Sequence, residues 1–231
     1  STAAKLNMKK SKIQIVWFKR DLRITDHKPL FEASKISIPI LPLYVVENEY
    51  WQQSFSNRRH WCFIHDSLTE LRKELKKLGQ SLIIRNGSVK DIFSELANNF
   101  NIISIYAHEE TGNKWTYKRD TLVKIWCDQK KIPFIEFPTN GIVRCLKNRD
   151  DWSKIRNLRM KEDLTPKPHS LIPIEGIKDG LIPKKNNPIF KNDFIGKVQK
   201  GGRDEALKIL NSFLNDRGKK YLNNISKPGI S

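Results

Sequence analysis

Five short apolar runs alternate with helix-length amphipathic segments, and that alternation dictates most of what this chain can become. The runs are "IQIVWF" (13–18), "SIPILPLYVV" (37–46), "SLIIR" (81–85), "NIISIYAH" (101–108) and "IPFIEF" (132–137). They are rich in β-branched and aromatic residues and read as strands. Their apolar residues run on rather than alternate, as in strands covered on both faces. Pro29 suits the first turn of a helix reaching about Lys35. Ser56 reads as the N-cap of a long helix whose stripe is Trp61, Ile64, Leu68, Leu71, Leu75 and Leu78, with Gly79 as its stop. Ser88 caps a third helix carrying Val89, Ile92, Phe93, Leu96 and Phe100 on one face, and a fourth starts near Asn113 and reaches about Gln129. The expected class is α/β: a five-stranded parallel sheet with helices on both faces. The two prolines of the second run make that strand irregular or place it near an edge.

The pattern changes after about Asp150. "DLTPKPHSLIPIEGIKDGLIPKKNNPIFK" carries five prolines and two glycines, and reads as a long ordered loop or linker. From Gly202 to Asn224 helical spacing returns, with Ala206, Leu207, Leu210, Phe213, Leu214 and Tyr221 on one face. Such a face needs cover. The tail therefore reads as the opening of a further domain. The expected boundaries are 12–160 for the α/β domain, 161–200 for the linker and 201–231 for the linker helix.

Charge narrows the partners. Lys+Arg 43 against Asp+Glu 25 gives +18, which favours a polyanion such as nucleic acid or an acidic membrane surface. No apolar run approaches the roughly 20 residues of a membrane span. Cys62, Cys127 and Cys145 are far apart and odd in number, which disfavours a disulfide framework or a zinc site and fits a reducing cytoplasm.

In an open parallel sheet, ligands bind beyond the strand carboxyl ends. The loops to inspect are "FKRDLRITD", "VENEYW" and "AHEETGNKW". Neither GxGxxG nor GxxxxGK[ST] occurs, against the dinucleotide and P-loop readings. "FKRDLRITD" is either an anion or ligand site or a salt-bridged loop fixing the first crossover. In "HEETGN", His108, Glu109 and Glu110 could accept hydrogen bonds from a heterocycle; equally, the two glutamates could complement a helix N-terminus. The six tryptophans read mostly as core residues. The basic stretch 147–161 reads as a DNA-facing stripe or a solvated face.

"IVWFKRDLRITDHKPL" closely resembles the opening signature of the DNA photolyase/cryptochrome family. "RRHWCFIHDSLTELRKELKKLG", "GSVKDIFSELA" and "GGRDEALKILNSFLNDRGKKYLNNISKPGIS" follow the family's order as well. The resemblance implies a Rossmann-like antenna domain, a linker, and the first helix of an FAD-binding helical domain that would lie beyond Ser231. It implies an antenna chromophore in this domain (methenyltetrahydrofolate, a deazaflavin or FMN), with FAD only in the full-length protein.

By resemblance, Glu110, or else Glu109, would bind a pterin, with Asn113 as a neighbouring contact. His60 or Arg59 falls where a basic residue meets the antenna molecule in some members, and Tyr221 matches a linker-helix tyrosine that touches FAD. The implied mechanism passes light energy to flavin for splitting pyrimidine dimers in DNA. Catalysis and most DNA contacts would belong to the helical domain, so this chain alone is not expected to repair DNA. A second reading is a basic module that docks on nucleic acid or a separate flavin domain without binding a chromophore.

Overall fold

The computed structural model describes residues 9–53, 56–139 and 164–190. The expected terminal helix, Tyr221 and the 147–161 stretch lie outside these. Strands are β1 (Lys12–Phe18), β2 (Ile40–Val46), β3 (Ile83–Asn86), β4 (Asn101–His108) and β5 (Phe134–Phe137). They form one all-parallel sheet in the order β3-β2-β1-β4-β5. The chain steps outward from β1 through β2 to β3, then returns to the other side of β1. The switch point thus lies between β1 and β4, and the loops that follow these strands meet there.

Helices α1 (Lys28–Ser34) and α3 (Arg58–Leu78) cover one face, while α4 (Val89–Asn99) and α5 (Lys114–Lys130) cover the other. A single-turn helix, α2 (Asn48–Trp51), interrupts the loop after β2. Sheet residues divide by parity: Val16, Phe18, Tyr44 and Tyr106 face the α1/α3 core, Ile15, Trp17, Leu43, Val45 and Ile105 the α4/α5 core.

Helix ends follow from local chemistry. Ser88 and Asn113 accept backbone N–H bonds as caps, and Asn113 shares a capping box with Thr116. The N-cap of α3 is Asn57 rather than Ser56: its side chain accepts from the His60 N–H at 2.8 Å, while the Ser56 hydroxyl donates to the Gln53 carbonyl. The carboxamide reaches the first turn, and the serine closes the preceding one.

The second strand is an interior strand, one in from the edge, despite its prolines. The Ile40 N–H donates away from β1, to the Ile172 carbonyl. By strand parity the Pro42 nitrogen faces the same side, just before the β3 ladder begins at Leu43↔Ile83. No ladder bond is lost there.

Residues 164–190 run without regular structure as a strap over the α3 side and the β3 edge. The Ile84 N–H donates to the Asp179 carbonyl at 2.7 Å, and the Leu171 N–H to the Leu78 carbonyl at 2.8 Å. Gln80 Oε1 accepts from the Ile174 N–H. Arg72 Nη2 donates to the carbonyls of Leu82, Asp179 and Gly180 at 2.9–3.2 Å. Phe190 stacks on Trp61 with ring centroids 4.0 Å apart. Two glycines sit where strap and domain touch. Gly79 ends α3 at φ 116°, and a Cβ there would lie 2.8 Å from the Leu171 carbonyl; at Gly180, φ 78°, it would collide with the Ile84 carbonyl.

Candidate functional site

Two buried charged clusters occupy the carboxyl ends of the strands. The first ties the loop after β1 to its surroundings. Asp21 Oδ1 accepts from the Lys19 N–H at 2.8 Å, and Asp21 Oδ2 lies 2.6 Å from both His27 Nε2 and His108 Nδ1. His27 Nδ1 accepts from the Leu30 N–H at 3.1 Å, so this imidazole caps α1. A neutral ring that accepts at Nδ1 carries its proton on Nε2 and donates it to Asp21.

Burial alone would raise the Asp21 pKa. The hydrogen bonds from His108 and His27 outweigh it and hold the carboxyl far below the usual carboxylate range. Burial lowers the His27 pKa against the pull of Asp21, which keeps the ring neutral. The three side chains could surround a cation. However, the protonated Nε2 of His27 offers no lone pair, and N···O separations of 2.6 Å are those of charge-assisted hydrogen bonds. The cluster is a lock on the crossover loop.

The second cluster lies on the other side of the β1 end. Arg119, from α5, pairs with Glu110 in the loop after β4 and with Glu47 at the end of β2, at 3.3 Å for the latter. Arg20 Nε reaches the other Glu110 oxygen at 3.1 Å. Lys19 Nζ pairs with Asp120 at 3.1 Å and lies 4.3 Å from the centre of the Trp17 ring. Asp120 Oδ1 is 3.1 Å from Arg119 Nε, yet neither atom has a well-aligned hydrogen bond.

Burial pushes Glu47 up to about 7, and the opposing attraction of Arg119 is partly cancelled by Glu110 and Asp120. For Arg119, burial is outweighed by Glu47, Glu110 and Asp120, so its pKa rises. One guanidinium thus serves three carboxyl groups, and Glu47 is the one left poised between protonation states.

The expected site residues fall into distinct roles. Glu110 is buried, with a side chain 8% exposed, and both its oxygens are held by arginines. Beside it, Trp17, Tyr50, Trp51, His60 and Arg119 enclose a cavity of only about 30 Å³. His60 therefore joins Glu110, whereas Arg59 is exposed and does not line this cavity. Glu109 is exposed beside a shallow 170 Å³ depression at the switch point, and its N–H donates to the Phe137 carbonyl. Asn113 is spent on its capping box. The first turn of α5 contains no acid, so helix complementation by Glu109 and Glu110 is not what this loop does.

A larger opening adjoins the second cluster. Glu47 and Arg119 also border a groove of about 500 Å³, bounded by residues 87–91 at the start of α4 and by Trp115, Lys118, Leu122 and Val123 of α5. Sequence reasoning singled out neither Glu47 nor Arg119. The "VENEYW" loop sits at a strand end, but nothing in it marks Glu47 above Glu49, and Arg119 reads as one more surface charge in "YKRD".

An open all-parallel sheet with a ligand-sized groove at its carboxyl edge defines a Rossmann-like α/β protein. The chain belongs to the DNA photolyase family, whose model matches residues 14–155. It is 32% identical over 105 residues to a chloroplastic/mitochondrial cryptochrome DASH of Arabidopsis thaliana, covering 43% of this chain and 18% of that one. It is 30% identical over 115 residues to a Synechocystis cryptochrome DASH, covering 48% and 24%.

Among solved structures, a class III photolyase from Agrobacterium tumefaciens superposes with a TM-score of 0.62 at 19% identity, over 78% of this chain and 39% of that one. An archaeal photolyase from Sulfolobus tokodaii, solved with two FAD molecules and described as implying a novel light-harvesting cofactor, gives 0.58 at 20% identity, over 86% and 46%. The chain spans about a fifth of the length of the DASH relatives it matches. No helix among the described residues is long and apolar enough to cross a membrane.

Proposed function

We propose that this domain is the light-harvesting module of a photolyase or cryptochrome and that it seats its antenna chromophore in the groove beside Glu47, Arg119 and Trp115. The observation that carries this reading is the pairing of a 500 Å³ groove with a carboxyl poised near neutrality and an aromatic wall. Volumes of that order hold a small heteroaromatic ligand. The 30 Å³ cavity beside Glu110 does not, and its carboxylate is already taken by Arg20 and Arg119.

Neutral Glu47 offers one donor and one acceptor, matching the N–H/C=O edge of a pterin or flavin, while its ionised form accepts from two N–H groups. Trp115 supplies a stacking face and Lys118 a cation for an anionic tail. Glu110 acts as a positioning residue, holding Arg119 against Glu47. The bound chromophore would absorb near-UV or blue light and pass the excitation to a flavin. FAD, pyrimidine dimers in DNA and a helical partner domain belong to the same proposal for the longer protein.

The test is titration of the purified chain with methenyltetrahydrofolate, FMN and a deazaflavin, followed by absorbance between 300 and 500 nm. One or more should be retained. Trp115→Ala and Glu47→Ala should each weaken retention at least tenfold, and Glu110→Ala several-fold. A chain that retains none of the three, or retention indifferent to Trp115 and Glu47, overturns the assignment.

A further inference from the structure

The opposite end of the sheet has a different chemistry. In this topology every helix runs antiparallel to the strands, so helix C-termini and strand starts converge at one edge. Lys9 and Lys10 lead into β1, and Lys130 and Lys131 close α5. These four lysines rim an open depression of about 440 Å³ whose floor includes Phe100, Ile102 and Ile132. Among the described residues, no aspartate or glutamate lines it. Lys12 opens β1 and Lys76 and Lys77 end α3 at the same edge of the sheet. Among the described residues, no ion pair joins any of these seven lysines to a carboxylate.

Helix dipoles do not account for the excess. Each helix C-terminus carries about −0.5 of a charge, so the ends of α4 and α5 together offset about one lysine. Lys10 Nζ donates to the Ala97 carbonyl at the end of α4, which is one such use. Asp128, exposed in the last turn of α5, offsets one more. About two positive charges remain on the rim of the depression. At the carboxyl edge, by contrast, Lys19, Arg20 and Arg119 are all paired.

We infer that the amino edge of the sheet, centred on Lys9, Lys10, Lys130 and Lys131, is a docking surface for the phosphodiester backbone of nucleic acid. Flexible ammonium groups around an apolar floor fit phosphates and sugar faces, with no base-edge readout. Binding at this surface is sequence-independent and steeply salt-dependent, because each neutralised phosphate releases counterions. It is remote from the chromophore groove and does not rest on the light-harvesting reading.

The experiment uses the full chain and a fluorescein-labelled 20-nucleotide DNA, single- and double-stranded, with anisotropy read from 50 to 200 mM salt. The variant carries Lys9→Gln, Lys10→Gln, Lys130→Gln and Lys131→Gln. A control carries Lys28→Gln, Lys114→Gln, Lys167→Gln and Lys184→Gln, four exposed lysines away from this edge with the same loss of charge. Circular dichroism checks that both fold.

The edge variant should bind at least tenfold more weakly at 50 mM salt, and its log K against log salt should be shallower by about 3, while the control stays within about threefold of wild type. Equal losses in the two variants would show bulk charge rather than a surface, and overturn the inference. So would undiminished DNA binding in the edge variant. If vesicles with 30% phosphatidylserine lose binding in the edge variant while DNA does not, the partner is an anionic membrane and the inference fails.

Discussion

The two charged clusters at the strand carboxyl ends sit on either side of the β1 terminus and solve burial in opposite ways. In the Asp21–His27–His108 lock each donor meets an acceptor, and one full charge is shared among three donors. In the Arg119 cluster, one guanidinium is shared by three carboxyl groups, of which Arg20 and Lys19 serve Glu110 and Asp120 but neither serves Glu47, and two atoms stay poorly aligned. The first depresses an acid's pKa; the second raises one to about 7. A satisfied network fixes a conformation, while an unbalanced one keeps a group responsive to protons or ligand.

The sharpest way to break the comparison is Asp21→Ala. It leaves three donors buried without their acceptor and should cost about 3–5 kcal/mol in urea unfolding. A loss below 1 kcal/mol would show that the lock does not hold the crossover.

Arg119→Met comes next, at about 2–3 kcal/mol at pH 8. Its loss should shrink markedly at pH 5, because Glu47 can take up a proton and shed its charge. Equal losses at the two pH values would remove the distinction between the clusters.

The pH profiles separate them again. Glu47 binds its proton more tightly folded, near 7, than its ordinary value of 4.5. Its contribution is present below pH 4.5 and is lost as pH rises to 7, in total about 3 kcal/mol. His27 has the opposite sign. Its folded pKa lies below 6.5, so its contribution is present above 6.5 and declines as pH falls from there. Glu47→Gln should therefore flatten only the arm between pH 5 and 8, by about 2 kcal/mol, and leave the acid arm unchanged.

The smallest effect is expected at Arg72→Met. Losing donors to three carbonyls should cost about 1–2 kcal/mol and speed proteolysis within 164–190. Cleavage at the wild-type rate would place the strap's hold elsewhere.

The fold was legible because burial imposes periods. β4 matches its apolar run residue for residue, and Ser88, Asn113 and Gly79 mark helix ends as their chemistry requires. The prolines of the second run mark a strand near an edge, and β2 lies one in from it; its exact place was not legible, because strand order is decided by pairing with segments far along the chain. The site was half legible. "FKRDLRITD" combines both readings: Asp21 and Lys19 fix the crossover, and Arg20 walls the cavity. Its partners His108, Glu110 and Asp120 lie about 90 to 100 residues away, a distance at which spacing carries no signal. Glu110 was named from resemblance; its arginine partners emerge only from the fold.

The strap over residues 164–190 has one more consequence. β3 is an outermost strand, and a bare outermost strand is a template on which another copy's backbone can pair. The Asp179 carbonyl occupies the Ile84 N–H, and Gly180 brings the strap against the Ile84 carbonyl too closely for any side chain. The strap is thus an edge guard. Cutting it would be felt less as a loss of folding energy than as a gain of self-association, with the open rim of the sheet as the contact.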